Sequence, residues 1–246
     1  MEEPTPEKTD AQEPLEGPEP ASLAKYIDHT MLRPEAADAA FDQLCDEALH
    51  WGFCAVCVNS CRVVYVARKL KDTPIKVAAV VGFPLGQMDT KAKAFEAARC
   101  VEDGAVELDM VMNVGALKSG HPDRVAEDIA AVRSAAGDET VLKVIIETFL
   151  LSDDEKVLAC RLSQQAGADF VKTCTGFAGG GATPHDIALM RRTVGPEMGV
   201  KASGGMRNYP RAVQIIAAGA NRIGAVSSVA IVTGQTGAGG YTPDDY

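Results

Sequence analysis

The sequence has no long apolar run of the about 18 residues that a membrane-spanning helix requires, so no membrane span is expected. Nothing at its amino terminus reads as a charged-then-apolar leader, so secretion is not expected either. A basic stripe is also missing and the formal net charge is −10, which argues against nucleic acid as a partner. Histidine is scarce: His29, His50, His121 and His185 show no HxxH or HxxxH spacing, so no metal site is expected. The seven cysteines are odd in number and irregularly spaced, the pattern of free thiols in a reducing cytoplasm. Cys54, Cys57 and Cys61 come nearest to a metal motif. Yet no second paired half accompanies them, and a spacing of three along a strand sends Cys54 and Cys57 to opposite faces.

What is present is a chain of 246 residues with 46% apolar content and 23 glycines, enough for one large α/β domain with many tight turns. The charge is unevenly spread. Residues 1–20 hold seven acids, one lysine and five prolines. Such a segment cannot bury enough apolar area to offset chain entropy, so residues 1–21 are expected to form a disordered acidic tail. The domain proper is expected over 22–233, and the glycine-rich end, 234–246, is expected to be a flexible tail.

Between these limits short apolar runs alternate with amphipathic stretches. Strands are expected at 26–29, 54–58, 76–82, 106–112, 141–147, 170–173, 199–202 and 222–224. Helices are expected near 35–50, 60–71, 89–103, 122–136, 153–166, 184–194, 209–219 and 226–232. Ser152 with Glu155 three positions on is a capping-box signature at one helix start. Eight strand-helix repeats in one domain imply a closed (β/α)8 TIM barrel, whose active site lies at the carboxyl ends of the strands.

Two lysines stand at such ends. Lys172 closes Ala168-Asp169-Phe170-Val171-Lys172 and Lys201 closes Met198-Gly199-Val200-Lys201, a separation of 201 − 172 = 29 residues, or one strand-helix repeat. They are therefore expected on neighbouring strands at one mouth. An ordinary lysine, with a pKa near 10.4, is almost wholly protonated at neutral pH. Two ammonium groups about 6 Å apart at an effective dielectric near 20 repel by about 2.8 kcal/mol, or about two pKa units. One amine then becomes available for Schiff-base chemistry. The residues alone do not decide which lysine is the nucleophile.

Asp109 lies with Glu107 in the apolar run from Ala105 to Met112, on the same strand face. An acid in such a run needs a partner or a task. Proton transfer is expected of Asp109, with an ion pair to Lys143 as the alternative; for Glu107 the order is reversed. Glycine-rich loops follow the expected seventh and eighth strands, Ser203-Gly204-Gly205-Met206 and Gly224-Ala225-Val226-Ser227-Ser228, where barrels commonly hold phosphate; Gly179-Gly180-Gly181 is a further candidate. His29 is open between reaching the mouth and a structural hydrogen bond.

These runs resemble the deoxyribose-phosphate aldolase family over about residues 22–233. The matching stretches are 26–32, 81–86, 107–111, 142–148, 170–173 and 200–205. The resemblance implies a class I aldolase that cleaves 2-deoxy-D-ribose 5-phosphate to D-glyceraldehyde 3-phosphate and acetaldehyde, without cofactor, in cytoplasmic deoxynucleoside breakdown. It implies Lys172 as the Schiff-base lysine, Lys201 as the partner that lowers its pKa, and Asp109 as the acid-base group acting with water. Asp28, Cys57, Thr173, Gly204, Gly205, Gly224 and Ser227 fall at substrate-site positions, Tyr246 is a candidate for proton transfer, and a homodimer is implied. Val226 stands where the family pattern has a serine, and Cys174 likewise, which places a thiol beside the nucleophile with an expected sensitivity to oxidation and aldehydes.

Overall fold

In the computed structural model, which describes residues 17–235, eight parallel strands close into a barrel in chain order. They are β1 (Ile27–Met31), β2 (Ala55–Val58), β3 (Lys76–Val81), β4 (Glu107–Val111), β5 (Val141–Ile145), β6 (Phe170–Lys172), β7 (Gly199–Ser203) and β8 (Arg222–Ala225). The last strand returns to the first through the pair Asp28↔Gly224. Around them lie α1 (Asp38–Trp51), α2 (Val63–Lys69), α3 (Thr90–Glu102), α4 (Val114–Lys118), α5 (Pro122–Ala136), α6 (Asp153–Gln165), α7 (Pro184–Val194), α8 (Tyr209–Ala217) and α9 (Ser228–Val232). This is the expected TIM barrel.

Each expected strand and helix has a counterpart, with boundaries shifted by a few residues. Three short elements were not anticipated: α4 and the 3-10 turns Pro20–Tyr26 and Thr148–Leu150. None is long enough to display a helical period. The first also corrects a boundary. Pro20 and Ala21 were assigned to the tail, but they open a turn that buries Leu23 and Ala24, and Tyr209 donates a hydrogen bond to the Pro18 carbonyl over 2.9 Å. Residues 1–16 and 236–246, including Tyr246, lie outside the described residues. Among the described residues no helix is long and apolar enough to cross a membrane.

The alternation of the strands sorts the core into two regions. Outward residues such as Leu108, Met110, Leu142, Val144, Val200 and Ala202 pack against the helices. Helix α5 meets them with Val125, Ile129, Val132 and Ala136, one stripe at helical spacing. Each fully buried Val or Ile contributes about 1.5–3 kcal/mol. The inward positions carry most of the buried charges, Asp109, Lys172 and Lys201 among them, and a small apolar cluster of Leu32, Cys57, Ala78 and Val80. The capping box at Ser152 and Glu155 forms as expected and starts α6.

One buried ion pair outside the barrel holds two helices together. Lys93 on α3 is fully buried and donates to Asp128 on α5 over 2.5 Å and to the Val111 carbonyl over 2.9 Å. Thr90 donates to the second Asp128 oxygen. Gly82 makes room for this lysine: its φ is +63° and a Cβ there would lie 2.8 Å from Lys93 Cε. Removing one partner of such a pair strands a buried charge. The variant Lys93→Ala is expected to lose about 3–5 kcal/mol of stability in urea titration, and Lys93→Met combined with Asp128→Leu to recover most of it.

Candidate active site

The inward face of the barrel carries a network of seven ionic side chains. Asp28 comes from β1, Glu107 and Asp109 from β4, Lys143 from β5, Lys172 from β6, Lys201 from β7 and Arg222 from β8; all are buried. Lys172 and Lys201 are directly paired positions on neighbouring strands, as their separation in sequence implied. Glycine makes the required space at two places. A Cβ on Gly199 would sit 2.2 Å from the Phe170 ring, and one on Gly224 would sit 3.2 Å from Lys201 Cε.

Asp109 is the hub. Its Oδ2 accepts from Lys172 over 2.5 Å and from Lys201 over 2.8 Å, while Oδ1 accepts from Lys143 over 2.8 Å. The ion pair to Lys143 therefore forms, and the other oxygen faces the two mouth lysines. Lys201 also donates to Asp28. Glu107 is structural, 2.6 Å from Lys143 and 3.0 Å from Arg222, with exposed Lys76 at 3.2 Å. Arg222 reaches Asp28 over 2.7 Å and lies over the Phe170 ring.

The electrostatics separate the two lysines. Burial lowers the Lys172 pKa from its ordinary value and the charge of Lys201 lowers it further, against the attraction of Asp109. Burial thus outweighs the lysine-lysine repulsion as the cause, where the sequence argument relied on repulsion alone. Lys201 is equally buried, but Asp109 and Asp28 outweigh that and raise its pKa. Burial would push Asp109 up; Lys143, Lys172 and Lys201 instead hold it well below the usual carboxylate range. Asp28 is likewise lowered, against burial, by Lys201, Lys143 and Arg222. The result is one amine inclined to lose its proton among partners that keep their charges.

Lys172 opens into a cleft. Thr30, Leu32, Thr175, Ser203, Gly205, Met206, Arg207 and the loop from Gly224 to Ser227 line it. Of the sequence-derived candidates, Gly205, Gly224 and Ser227 line this cleft beside Lys172. Gly204 lies behind it, packed on Gly181, so the 179–181 loop supports the wall without lining it. Thr173 turns away and ties β6 to β7 by exchanging hydrogen bonds with Ser203. Cys57 lies inside the barrel under the lysines, its thiol pushed up to about 11 by burial and by Asp109.

One expectation is revised, for Cys174, and one open choice is closed, for His29. Cys174 follows the nucleophile in sequence but is fully buried against Thr148, and burial pushes its thiol up to about 11. Thiolate is the reactive form, so no special sensitivity follows from its position. His29 does not reach the mouth: it points outward to Glu47 and Ser228.

Sequence reasoning missed Arg222 and the strut formed by Glu147. The first was readable, since Arg222 shares a strand face with Gly224. Glu147 sits in the left-handed region at φ +56° and accepts from the Thr175 backbone N–H and hydroxyl, fixing the loop after Lys172. No local pattern announces that contact. Among the described residues, Asp153, His185 and Asp186 are the one group close enough to hold a metal ion. Lys156 already neutralises both aspartates there, over 3.0 and 2.7 Å.

The sequence profile of the DeoC/LacD family aldolase matches residues 22–234. The chain is 56% identical over 219 residues to a deoxyribose-phosphate aldolase of Streptococcus gordonii, covering 89% of this chain and 99% of that protein. With the deoxyribose-phosphate aldolase of Enterococcus faecalis the identity is 54% over 217 residues, covering 88% and 99%. Among solved structures, the tetrameric deoxyribose phosphate aldolase of Aeropyrum pernix superposes with a TM-score of 0.81 at 36% identity, covering 87% of this chain and 91% of that one.

The two opposed lysine shifts give a direct test. Replacing Lys201 by Leu removes a positive charge from beside Lys172 and leaves Asp109 Oδ2 to it, and both changes raise the Lys172 pKa. The pH dependence of Lys172 labelling by an amine-reactive aldehyde should therefore move to higher pH in Lys201→Leu. An unmoved profile would show that the two amines do not interact.

Proposed function

Because the chain belongs to the DeoC/LacD family of aldolases, we propose that it is a class I aldolase acting reversibly on 2-deoxy-D-ribose 5-phosphate, with Lys172 as the Schiff-base lysine. The observation that carries this reading is a buried amine of lowered pKa at the floor of an open cleft, next to a carboxylate and a second, firmly protonated lysine. Binding alone has no use for a neutral lysine; nucleophilic attack does.

The steps follow from the positions. Neutral Lys172 Nζ adds to the aldehyde carbon C1 of the open-chain sugar, and loss of water gives an iminium. Asp109, through a water, takes the proton of the C3 hydroxyl. The C2–C3 bond breaks as C3 becomes a carbonyl, and its electron pair flows into the iminium to leave an enamine. D-glyceraldehyde 3-phosphate departs. The proton returns to C2, and water hydrolyses the second iminium to release acetaldehyde and the free amine. Asp109 is a weak base in isolation because its pKa is held low. Its contact with both ammonium groups lets it relay a proton without keeping it.

The phosphate is assigned to the far end of the cleft, where Gly205 and the loop from Gly224 to Ser227 offer backbone N–H groups and a serine hydroxyl. Val226 supplies no hydroxyl, so Ser227 carries that contact. Asp28, Cys57, Thr173 and Gly204, which the resemblance puts at substrate-site positions, do not line the cleft: Asp28 bonds Lys201, and Thr173 and Gly204 pack behind the wall. We also propose a homodimer in the cytoplasm on the strength of the resemblance; sedimentation of the full chain reads the assembly, and a monomer would refute it.

Borohydride reduction in the presence of acetaldehyde, followed by peptide mass mapping, tests the chemistry. A reduced ethyl adduct is expected on Lys172 alone. An adduct on Lys201 would exchange the two roles, and none on either would overturn the Schiff-base mechanism in favour of a phosphosugar isomerase. The rising limb of the pH profile should titrate below the ordinary lysine range, activity increasing with pH as Lys172 loses its proton.

A further inference from the structure

The strand that places Asp28 inside the barrel places its neighbour His29 outside it, between α1 and α9. His29 is 4% exposed and forms one link of a buried chain. Its Nε2 lies 2.7 Å from a Glu47 oxygen on α1, and its Nδ1 lies 2.9 Å from the Ser228 hydroxyl at the start of α9. Gln43 holds the second Glu47 oxygen over 2.7 Å. Ser228 is fully buried and also lies 2.9 Å from the Ala225 carbonyl. The ring packs on Phe53, with centroids 5.1 Å apart. His29 is moreover the β-sheet partner of Ala225 itself.

The segment gripped in this way, Ala225 to Ser228, includes the wall of the cleft assigned to phosphate. Ala225, Val226 and Ser227 face the cleft, while Ser228 is turned back into the protein. The loop is thus held from behind at both ends, by the strand pairing at Ala225 and by the His29 ring at Ser228. A loop whose hydroxyl contact rests on Ser227 alone depends on being held in register, because a shift of one hydrogen bond would turn that hydroxyl away.

Resting on the phosphate assignment above, we propose that His29, clamped by Glu47, is a positioning residue that sets the anion-binding geometry of the Ala225–Ser227 loop. It touches no substrate atom and acts through Ser228. The single Ser228 hydroxyl proton also gives the chain a direction. If it goes to the Ala225 carbonyl, Nδ1 must donate to Ser228 and Nε2 to Glu47, which requires a protonated ring. If it goes to Nδ1, a neutral ring donates from Nε2 to Glu47 and the Ala225 carbonyl loses that bond. Glu47 is the charged group that faces the ring from α1, Phe53 adds an apolar face, and Ser228 is the contact from α9.

The test compares the full-length wild type with His29→Leu, His29→Asn and Glu47→Gln on 2-deoxyribose 5-phosphate and on 2-deoxyribose, with inorganic phosphate as competitive inhibitor. His29→Leu is expected to raise KM for the phosphorylated sugar about tenfold, the worth of about one buried hydrogen bond, and the inhibition constant of phosphate by the same factor. kcat, and kcat/KM for the unphosphorylated sugar, should change less than about twofold. His29→Asn, which can still bond Ser228, should recover part of the loss, and Glu47→Gln, at a half-buried position, should show a smaller effect of the same kind without risk to folding. Equal losses on both sugars, or none on either while the wild type prefers the phosphorylated one, would overturn the positioning role. A wild type that ignores phosphate in both measurements would instead overturn the assignment of the loop to phosphate, and this inference with it.

Discussion

Everything at the centre of this barrel depends on one carboxylate. Asp109 accepts from three lysines at once, and it does so where solvent cannot share the load. Three buried carboxylates, Asp28, Glu107 and Asp109, face four buried cations, Lys143, Lys172, Lys201 and Arg222. Buried charges persist only when paired, so an excess of one cation asks one member to give up its proton. The contacts decide which. Among the described residues Lys143 lies within 4 Å of three carboxylates, and Lys201 and Arg222 each of two, while Lys172 has Asp109 alone. The least supported cation is the one that opens into the cleft. Lys172 and Lys201 are thus told apart by how many anions each touches, although they are paired positions on neighbouring strands.

The same arrangement sets a tension between stability and activity. Asp28, Glu107 and Asp109 have lowered pKa values in the folded chain. The stability they contribute is present above their unfolded pKa values and is lost as pH falls through the folded ones. Lys143 and Lys201 have raised values. Their contribution is present below the unfolded pKa and fades as pH rises through the folded one. Lys172 runs the other way: its folded pKa is lowered, so the folded state binds fewer protons there than the unfolded chain and the protonated amine costs stability. Among the described residues, Lys172 is the ionic member of the network whose charged form the fold disfavours. That is the signature of a functional rather than a structural ion.

How much of this is legible in the chain follows from which interactions are periodic. Strand-helix alternation, strand-end lysines 201 − 172 = 29 residues apart, and an acid pair two apart on one strand are all regular spacings, and they led to the barrel, to both lysines and to Asp109. The resemblance then distinguished the lysines, which spacing could not. What escaped is of another kind. Arg222 reaches Glu107 from a strand 115 positions away, and Glu147 meets Thr175 across two loops. The turn at Pro20–Tyr26 sits in a stretch whose acid and proline content reads as tail, yet Leu23 within it is fully buried. Composition averages over such a residue; packing does not. Cys174 shows the converse error, since proximity to the nucleophile in sequence says nothing about the direction in which a side chain points.

The division of labour between strands and loops explains why these two kinds of residue differ in legibility. Chemistry demands fixed distances among amine, carboxylate and second amine, and a closed sheet supplies them through backbone register, as Lys172↔Lys201 shows. Recognition of the rest of a substrate falls to loops, which have no ladder of their own to hold them. Here the loops are tied from behind by side chains that never face the cleft. Thr173 and Ser203 bind each other, Glu147 binds Thr175, and His29 binds Ser228. Each tie joins residues of two different strand-loop units, so each is invisible to a reading that follows one segment at a time. It follows that substitutions behind the loops should alter what this barrel accepts, while substitutions in the strands alter whether it reacts at all.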